Sequence, residues 1–224
     1  MTTRVLIVED HALVATGLQL ALSARGWEVE TTDGPTAADV IEHAGRFEPE
    51  VVLCDIGLGE RVGSGVQLVA PLVKLGAKVV MLTGETRRGV LASCLEAGAA
   101  GWIGKNVFLD EVEAALCDVL AGNPLIGCTT REAMLDELRI ERAGVRKALT
   151  PFEQLTMRER EVLAALVDGL SAEEIAEQQF VALTTVRSQI RAVLQKLGVR
   201  SQLAAVASAN RVDWDLNRAQ LSVA

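Results

Sequence analysis

Val51-Val52-Leu53-Cys54-Asp55 decides the fold. Four apolar residues run without polar alternation and stop on a carboxylate. Such a run reads as a strand covered on both faces, and strands of that kind belong to parallel sheets with helices on each side. The figure recurs upstream, where Val5-Leu6-Ile7-Val8 leads into Glu9-Asp10, and downstream, where Lys78-Val79-Val80-Met81-Leu82 leads into Thr83. Gly101-Trp102-Ile103 leads into Gly104-Lys105, and Glu28-Val29-Glu30-Thr31 alternates as an edge strand does. Helix-period segments lie between these runs, near 12–24, 36–44, 64–75, 88–97 and 109–121. Five β/α repeats predict a doubly wound α/β domain over residues 1–122.

In such a sheet reactive groups collect beyond the carboxyl ends of the strands. Those ends carry Glu9-Asp10, Asp55, Thr83 and Lys105. One acid after a strand is ordinary loop composition, but this set at four strand ends is a pattern. Carboxylates within about 4 Å repel by about 4 kcal/mol at an effective dielectric of about 20, so the cluster wants a cation. Oxygen ligands without histidine or cysteine favour Mg²⁺, which takes one or two carboxylates and keeps several waters. The ion also offsets the charge that develops if a carboxylate attacks a phosphoryl group. Lys105 can then neutralise phosphoryl oxygens, and the Thr83 hydroxyl can hydrogen-bond one. His11, beside the acid pair at a helix start, reads as a bystander.

The chain has 224 residues, half of them hydrophobic, enough for one large domain or two small ones. Its net charge of −8 excludes an all-over basic coat for nucleic acid but not a local patch. No apolar window reaches ~18 residues without a charge, so no membrane span is expected. The start, Met1 to Asp10, meets acids too soon for a signal peptide, and a cytoplasmic protein is expected. Cys54, Cys94, Cys117 and Cys128 form no C-x-x-C pair and, with two histidines, no zinc spacing; they read as reduced thiols. Tyrosine is absent and aromatics are few, which argues against a base-stacking or sugar-binding platform.

Charge is distributed unevenly. Residues 1–122 hold 9 basic and 17 acidic residues, whereas no acid occurs between Glu177 and Asp213, a gap holding Arg187, Arg191, Lys196, Arg200 and Arg211. That gap is an electrostatic footprint for an anion. Residues 123–150, between Asn123-Pro124 and Thr150-Pro151, read as a partly helical linker. The helix expected over 131–139 places Leu135 and Leu138 on one side. Like-charge pairs Glu137/Glu141 and Arg142/Arg146 make it marginal in isolation.

Residues 151–224 are helical in pattern. Thr156-Met157-Arg158-Glu159 and Ser171-Ala172-Glu173-Glu174 are capping boxes, opening helices at 156–167 and after Ser171. A third helix is predicted from about Leu183 to Leu197, stopped by Gly198, and a fourth over 201–210. Four short helices with tight connections make an all-α helix-turn-helix domain. In the third helix Val186, Ile190, Val193 and Leu197 face the core. Arg187, Ser188, Arg191 and Gln195 face away, as residues of a helix laid in the DNA major groove do. Thr184, Thr185, Gln189, Lys196 and Arg200 are placed to reach phosphates.

The first 122 residues resemble the receiver domain of two-component response regulators. The likeness is carried by Glu9-Asp10, by Val51 to Asp55, by Met81-Leu82-Thr83-Gly84, and by Glu96 through Lys105. The resemblance implies that Asp55 accepts a phosphoryl group from a sensor histidine kinase. It implies that Asp10, Asp55 and the Gly57 backbone carbonyl hold Mg²⁺, with Glu9 acting nearby or through water. Thr83 and Trp102 would form the switch pair, a tryptophan standing where tyrosine or phenylalanine is usual. Two features depart from the family. The loop from Ile56 to Gly65 has four glycines and an unusual length, and Lys105 precedes Asn106 rather than proline.

The last 74 residues resemble the LuxR-type DNA-binding domain through Leu155 to Leu163, Gly169-Leu170-Ser171, Glu174-Ile175-Ala176, Thr185-Val186-Arg187-Ser188 and Lys196 to Arg200. By that resemblance Arg187, Ser188 and Arg191 hold base-contacting positions. Ala182-Leu183 replaces a more usual polar pair at the start of the third helix. Together the halves resemble a NarL/FixJ-type response regulator. The resemblance implies a non-enzymatic, phosphorylation-dependent transcription factor that binds specific promoter DNA and forms a homodimer on activation. One alternative is a constitutive DNA binder whose receiver only dimerises. Another is an aspartyl-phosphate hydrolase, which would want an acid where Gly57 stands. A third is a small-molecule sensor, for which the N-terminal half has few aromatics.

Overall fold

The structure, a computed structural model, describes residues 2–32, 34–212 and 214. Its contacts divide the chain into two units, Met1–Arg139 and Ile140–Ala224.

The first unit is built on strands β1 (Arg4–Val8), β2 (Glu28–Thr32), β3 (Val51–Cys54), β4 (Lys78–Thr83) and β5 (Gly101–Gly104). They form one sheet in the order β2-β1-β3-β4-β5, every pair parallel. The period-2 alternation of side chains sorts each run between two faces. Leu6, Val8, Val52, Cys54, Val79 and Met81 join one apolar cluster with helices α2 (Ala37–Phe47), α4 (Val66–Lys74) and α5 (Arg88–Glu96). Val5, Ile7, Val51, Leu53, Val80, Leu82 and Ile103 join the other with α1 (Ala12–Ser23) and α6 (Leu109–Ala121). The strand order reverses between β1 and β3, and the crevice beyond their carboxyl ends is where such folds place a site.

The glycine-rich loop after β3 folds on itself. Gly59–Val62 makes a single turn, α3, and Gly57 bridges to Ser64. The Gly65 N–H donates to the Ile56 carbonyl at 2.8 Å, and that of Leu58 to the Gly63 carbonyl at 3.2 Å.

The linker differs from its sequence reading in extent. Helix α7 (Cys128–Glu153) is continuous for 26 residues and runs through Thr150-Pro151. Tertiary contacts supply what local charge pairing lacks. Met134 and Leu138 are buried in the α2/α4/α5 cluster. The Arg131 guanidinium donates to the carbonyls of Leu95 and Ala99 at 2.8 and 3.1 Å, near the end of α5. Arg88 pairs with Glu137 through two hydrogen bonds.

The second unit holds α8 (Met157–Val167), α9 (Ala172–Gln178), α10 (Leu183–Leu197) and α11 (Gln202–Arg211). Both expected capping boxes form, Thr156 with Glu159 and Ser171 with Glu174. The cap of α10 is Ala182, which makes no side-chain cap hydrogen bond. Val186, Ile190 and Val193 are buried, and Leu197 lies half-buried beside them. Phe152 and Trp214 stack with ring centroids 6.1 Å apart inside the same unit. No helix among the described residues is long and apolar enough to cross a membrane.

Candidate functional site

The carboxyl ends of β1, β3 and β5 bring four charged groups together. Asp55 follows β3, and its N–H donates to the Val8 carbonyl at 2.9 Å, which fixes it beside the end of β1. Glu9 and Asp55 are both buried. The Lys105 ammonium lies 2.6 Å from Glu9 Oε2 and 3.0 Å from Asp55 Oδ2, bridging the two carboxylates. Asp55 Oδ1 accepts from the Ile56 N–H at 2.8 Å. Donor atoms of Glu9, Asp10, His11 and Asp55 all lie within 4.8 Å of one another.

Burial pulls the Lys105 ammonium toward its neutral form, but its hydrogen bonds to Glu9 and Asp55 outweigh that and hold it above the ordinary lysine value. The hydrogen bond to Glu9, with the Asp10 charge beside it, raises the His11 ring above the ordinary histidine value. Cys54, next to the acid, is pushed up by burial first and by the Asp55 charge second. A thiol in that state is a weak nucleophile.

Thr83 is buried at the end of β4 and accepts from the Glu85 N–H at 2.9 Å. The Thr83 carbonyl accepts from the Lys105 N–H at 3.2 Å, tying hydroxyl and ammonium to one edge. Gly57 is exposed, and a Cβ built on it would stand 3.8 Å from Asp55 Oδ2. Trp102 is not gathered into the carboxylate cluster. It is half-buried against the α2/α4/α5 face, in the same apolar cluster as Ile126 and Leu135. His11, expected from the sequence to be a bystander, has its ring beside both Glu9 and Asp10.

In the second unit Thr184, Thr185, Arg187, Ser188, Arg191 and Arg200 are exposed. Arg187 pairs with Glu173 at 2.9 Å across the helix-turn-helix. Two phosphate candidates are not fully exposed. Gln189 is half-buried with its Oε1 out of solvent. Lys196 donates to Glu159 Oε2 at 2.6 Å and to the Gln154 carbonyl at 3.1 Å.

Glu159 therefore does two jobs, capping α8 through the N–H and hydroxyl of Thr156 and neutralising Lys196. Burial pushes its carboxyl up, but the bonds from Lys196 and Thr156 prevail and leave it below the ordinary glutamate value. A depressed folded value stabilises the fold above the ordinary glutamate range, and that stability fades as pH falls through the folded value. Glu159→Gln should flatten the acid side of the stability–pH curve. Glu159→Ala should cost about 2 kcal/mol, from the lost cap and the stranded ammonium. Thermal unfolding followed across acidic pH checks both.

Comparison with known proteins bears on both halves. The response regulator receiver domain matches residues 5–117, and the bacterial regulatory proteins of the luxR family match residues 153–209. The transcription regulator BvgA of Bordetella pertussis is 32% identical over 215 residues, covering 94% of this chain and 98% of its own. The chain is a NarL/FixJ-type response regulator. The transcriptional regulatory protein LnrK of Bacillus subtilis is 30% identical over 204 residues, covering 89% of this chain and 92% of its own. Among solved structures, a CheY-like receiver domain protein of Methanospirillum hungatei is similar at 27% identity and a TM-score of 0.50, over 55% of this chain and 96% of its own. RcsB of Salmonella enterica serovar Typhimurium, solved on a promoter with BeF₃⁻, shares the fold at 20% identity and a TM-score of 0.50, over 93% of this chain and 98% of its own. This response regulator is thus a DNA-binding transcriptional regulator of the two-component type.

Proposed function

We propose that phosphoryl transfer to Asp55 from a sensor histidine kinase controls promoter binding by α10, in the cytoplasm. The observation that carries this is the Lys105 ammonium held between Glu9 and Asp55 at the strand ends. It leaves Asp55 pinned and next to a cation able to receive phosphoryl oxygens.

The donor set fits Mg²⁺: the carboxylate oxygens of Glu9, Asp10 and Asp55 are hard ligands within 4.8 Å of one another. Asp10, Asp55 and the Gly57 carbonyl would hold the ion, with Glu9 through water. When bound it neutralises charge on the phosphoryl oxygens. In the transfer an Asp55 carboxylate oxygen attacks phosphorus, the P–N bond to the kinase histidine breaks, and the imidazole leaves with the bond's electron pair. Lys105 turns from the carboxylate to the new phosphoryl group, and the Thr83 hydroxyl donates to it. Trp102 follows Thr83 inward. Moving a two-state receiver from 1:99 to 99:1 takes about 5.5 kcal/mol of differential stabilisation, within reach of a few charge-assisted hydrogen bonds.

Dimers would then place two α10 helices in major grooves about one helical turn apart, or a multiple of it. Arg187 must leave Glu173 to read a base. That exposed pair costs only about 0–1 kcal/mol to give up. Arg187→Ala and Arg191→Ala should each weaken binding to a duplex selected from a random pool by about 1–3 kcal/mol. Unchanged affinity would remove α10 from the groove. The overall test is the affinity of the full chain for that duplex with and without acetyl phosphate and Mg²⁺. Tighter binding with the donor supports the proposal, and equal binding supports the constitutive alternative.

A further inference from the structure

Three helices of the second unit end on one repeated figure. After α8 and after α10 comes a residue of left-handed backbone, Gly169 with φ 88° and Gly198 with φ 67°. The next N–H then reaches back into the helix, Leu170 to the Ala165 carbonyl at 2.9 Å and Val199 to the Leu194 carbonyl at 3.0 Å. Glycine is the usual occupant, because a Cβ makes that conformation costly. The same figure closes α9, where the Phe180 N–H donates to the Glu177 carbonyl at 3.3 Å and the Val181 N–H to the Ala176 carbonyl at 3.1 Å. Here the left-handed residue is a phenylalanine, with φ 54°. The fold gains nothing from the ring in return, since Phe180 is 95% exposed. A bulky side chain that strains the backbone and is left in solvent needs a reason outside the fold.

The position of the ring supplies one. Val181 and Ala182 are exposed as well, and α10 starts behind them without a polar cap. The apolar strip 180–182 thus runs straight into Thr184, Thr185, Arg187 and Ser188, the exposed residues at the start of the groove helix. Its backbone is already fixed by the two main-chain bonds, so little ordering is lost when a partner arrives. We propose that Phe180 is a DNA contact, its ring packing on the C5-methyl of a thymine at the edge of the site read by α10. This rests on the reading of α10 as the groove helix. Thymine is the base that shows an apolar group in the major groove, and phenylalanine is among the side chains that meet it. Continuity with the exposed face of α10 favours DNA over a protein partner for the ring.

The test uses the full chain and a duplex that it selects from a random pool. Phe180→Gly and Phe180→Asn both place a residue that tolerates left-handed backbone. Each should therefore melt at or above the wild-type midpoint, yet bind the duplex about fivefold or more weakly, the order expected from burying part of a phenylalanine ring. Replacing the thymines one at a time by uracil removes only the methyl group. At one position that replacement should weaken wild-type binding and leave the Phe180→Gly affinity unmoved. Equal affinity of variants and wild type overturns the proposal and leaves the ring to a protein partner. A loss of affinity coupled to no thymine overturns it too. Arg187→Ala on the same duplex separates this inference from the one beneath it. If it weakens binding while Phe180→Gly does not, α10 keeps the groove and Phe180 alone is reassigned; if neither weakens it, both readings fall.

Discussion

Incubated with acetyl phosphate and Mg²⁺, the full chain should gain the mass of one phosphoryl group, and Asp55→Asn should gain none. The argument is electrostatic before it is chemical. An amide at position 55 can still accept the Ile56 N–H. It cannot attack phosphorus, and it removes one of the two anions that hold Lys105. Glu9 and Asp10 remain, but neither repeats the geometry: Glu9 is already paired with Lys105, and Asp10 is open to solvent. Intact-mass spectrometry of the two proteins decides the point. Phosphoryl on Asp55→Asn would move the acceptor elsewhere, and none on the wild type would make the receiver a dimerisation module.

The second large effect should come from a residue with no polar chemistry. A Cβ added at Gly65 would meet the Asp55 carbonyl oxygen at 1.9 Å and its carbonyl carbon at 2.9 Å. Both are backbone atoms of a segment clamped by β1 on one side and β4 on the other. The Gly65 backbone is itself unstrained, with φ −56°, so the penalty is contact rather than torsion. Either the start of α4 or the end of β3 must move, and the end of β3 carries the acceptor. Gly65→Ala should destabilise the first unit by about 3 kcal/mol and slow phosphoryl uptake in whatever fraction stays folded. Gly45→Ala is the matched control. It lies exposed within α2 with nothing near its Cβ, so it should stabilise by about 0.5–1 kcal/mol. Thermal unfolding of the pair should move in opposite directions.

The five strands, the capped helices and the acid, hydroxyl and lysine at the strand ends are all legible in the sequence, because each is written locally. A run such as Val51 to Cys54 needs no partner to be read, and Thr156 with Glu159 spans one helical turn. What escapes is set by residues far apart in the chain. The length of α7 escapes because Arg131, Met134 and Leu138 find partners in α5 and its surroundings, not along their own helix. Lys196 reads as a phosphate contact on a basic face, yet Glu159, 37 residues away, takes its charge. The turn within the loop after Asp55 escapes because glycines permit many closures, and only the bridge from Gly57 to Ser64 selects one.

A tail that belongs to the front half changes where this chain can be divided. Gly101 has no side chain because Leu125 and Ile126 lie over it, 2.7 and 3.1 Å from where a Cβ would sit. A fragment ending at Gly122 would strip that cover along with Arg131, Met134 and Leu138, leaving a greasy scar prone to self-association. One ending after Arg139 keeps it sealed. Swapping receivers between relatives should meet the same rule: the seam that travels intact lies inside the long helix, well beyond the last strand and its following helix.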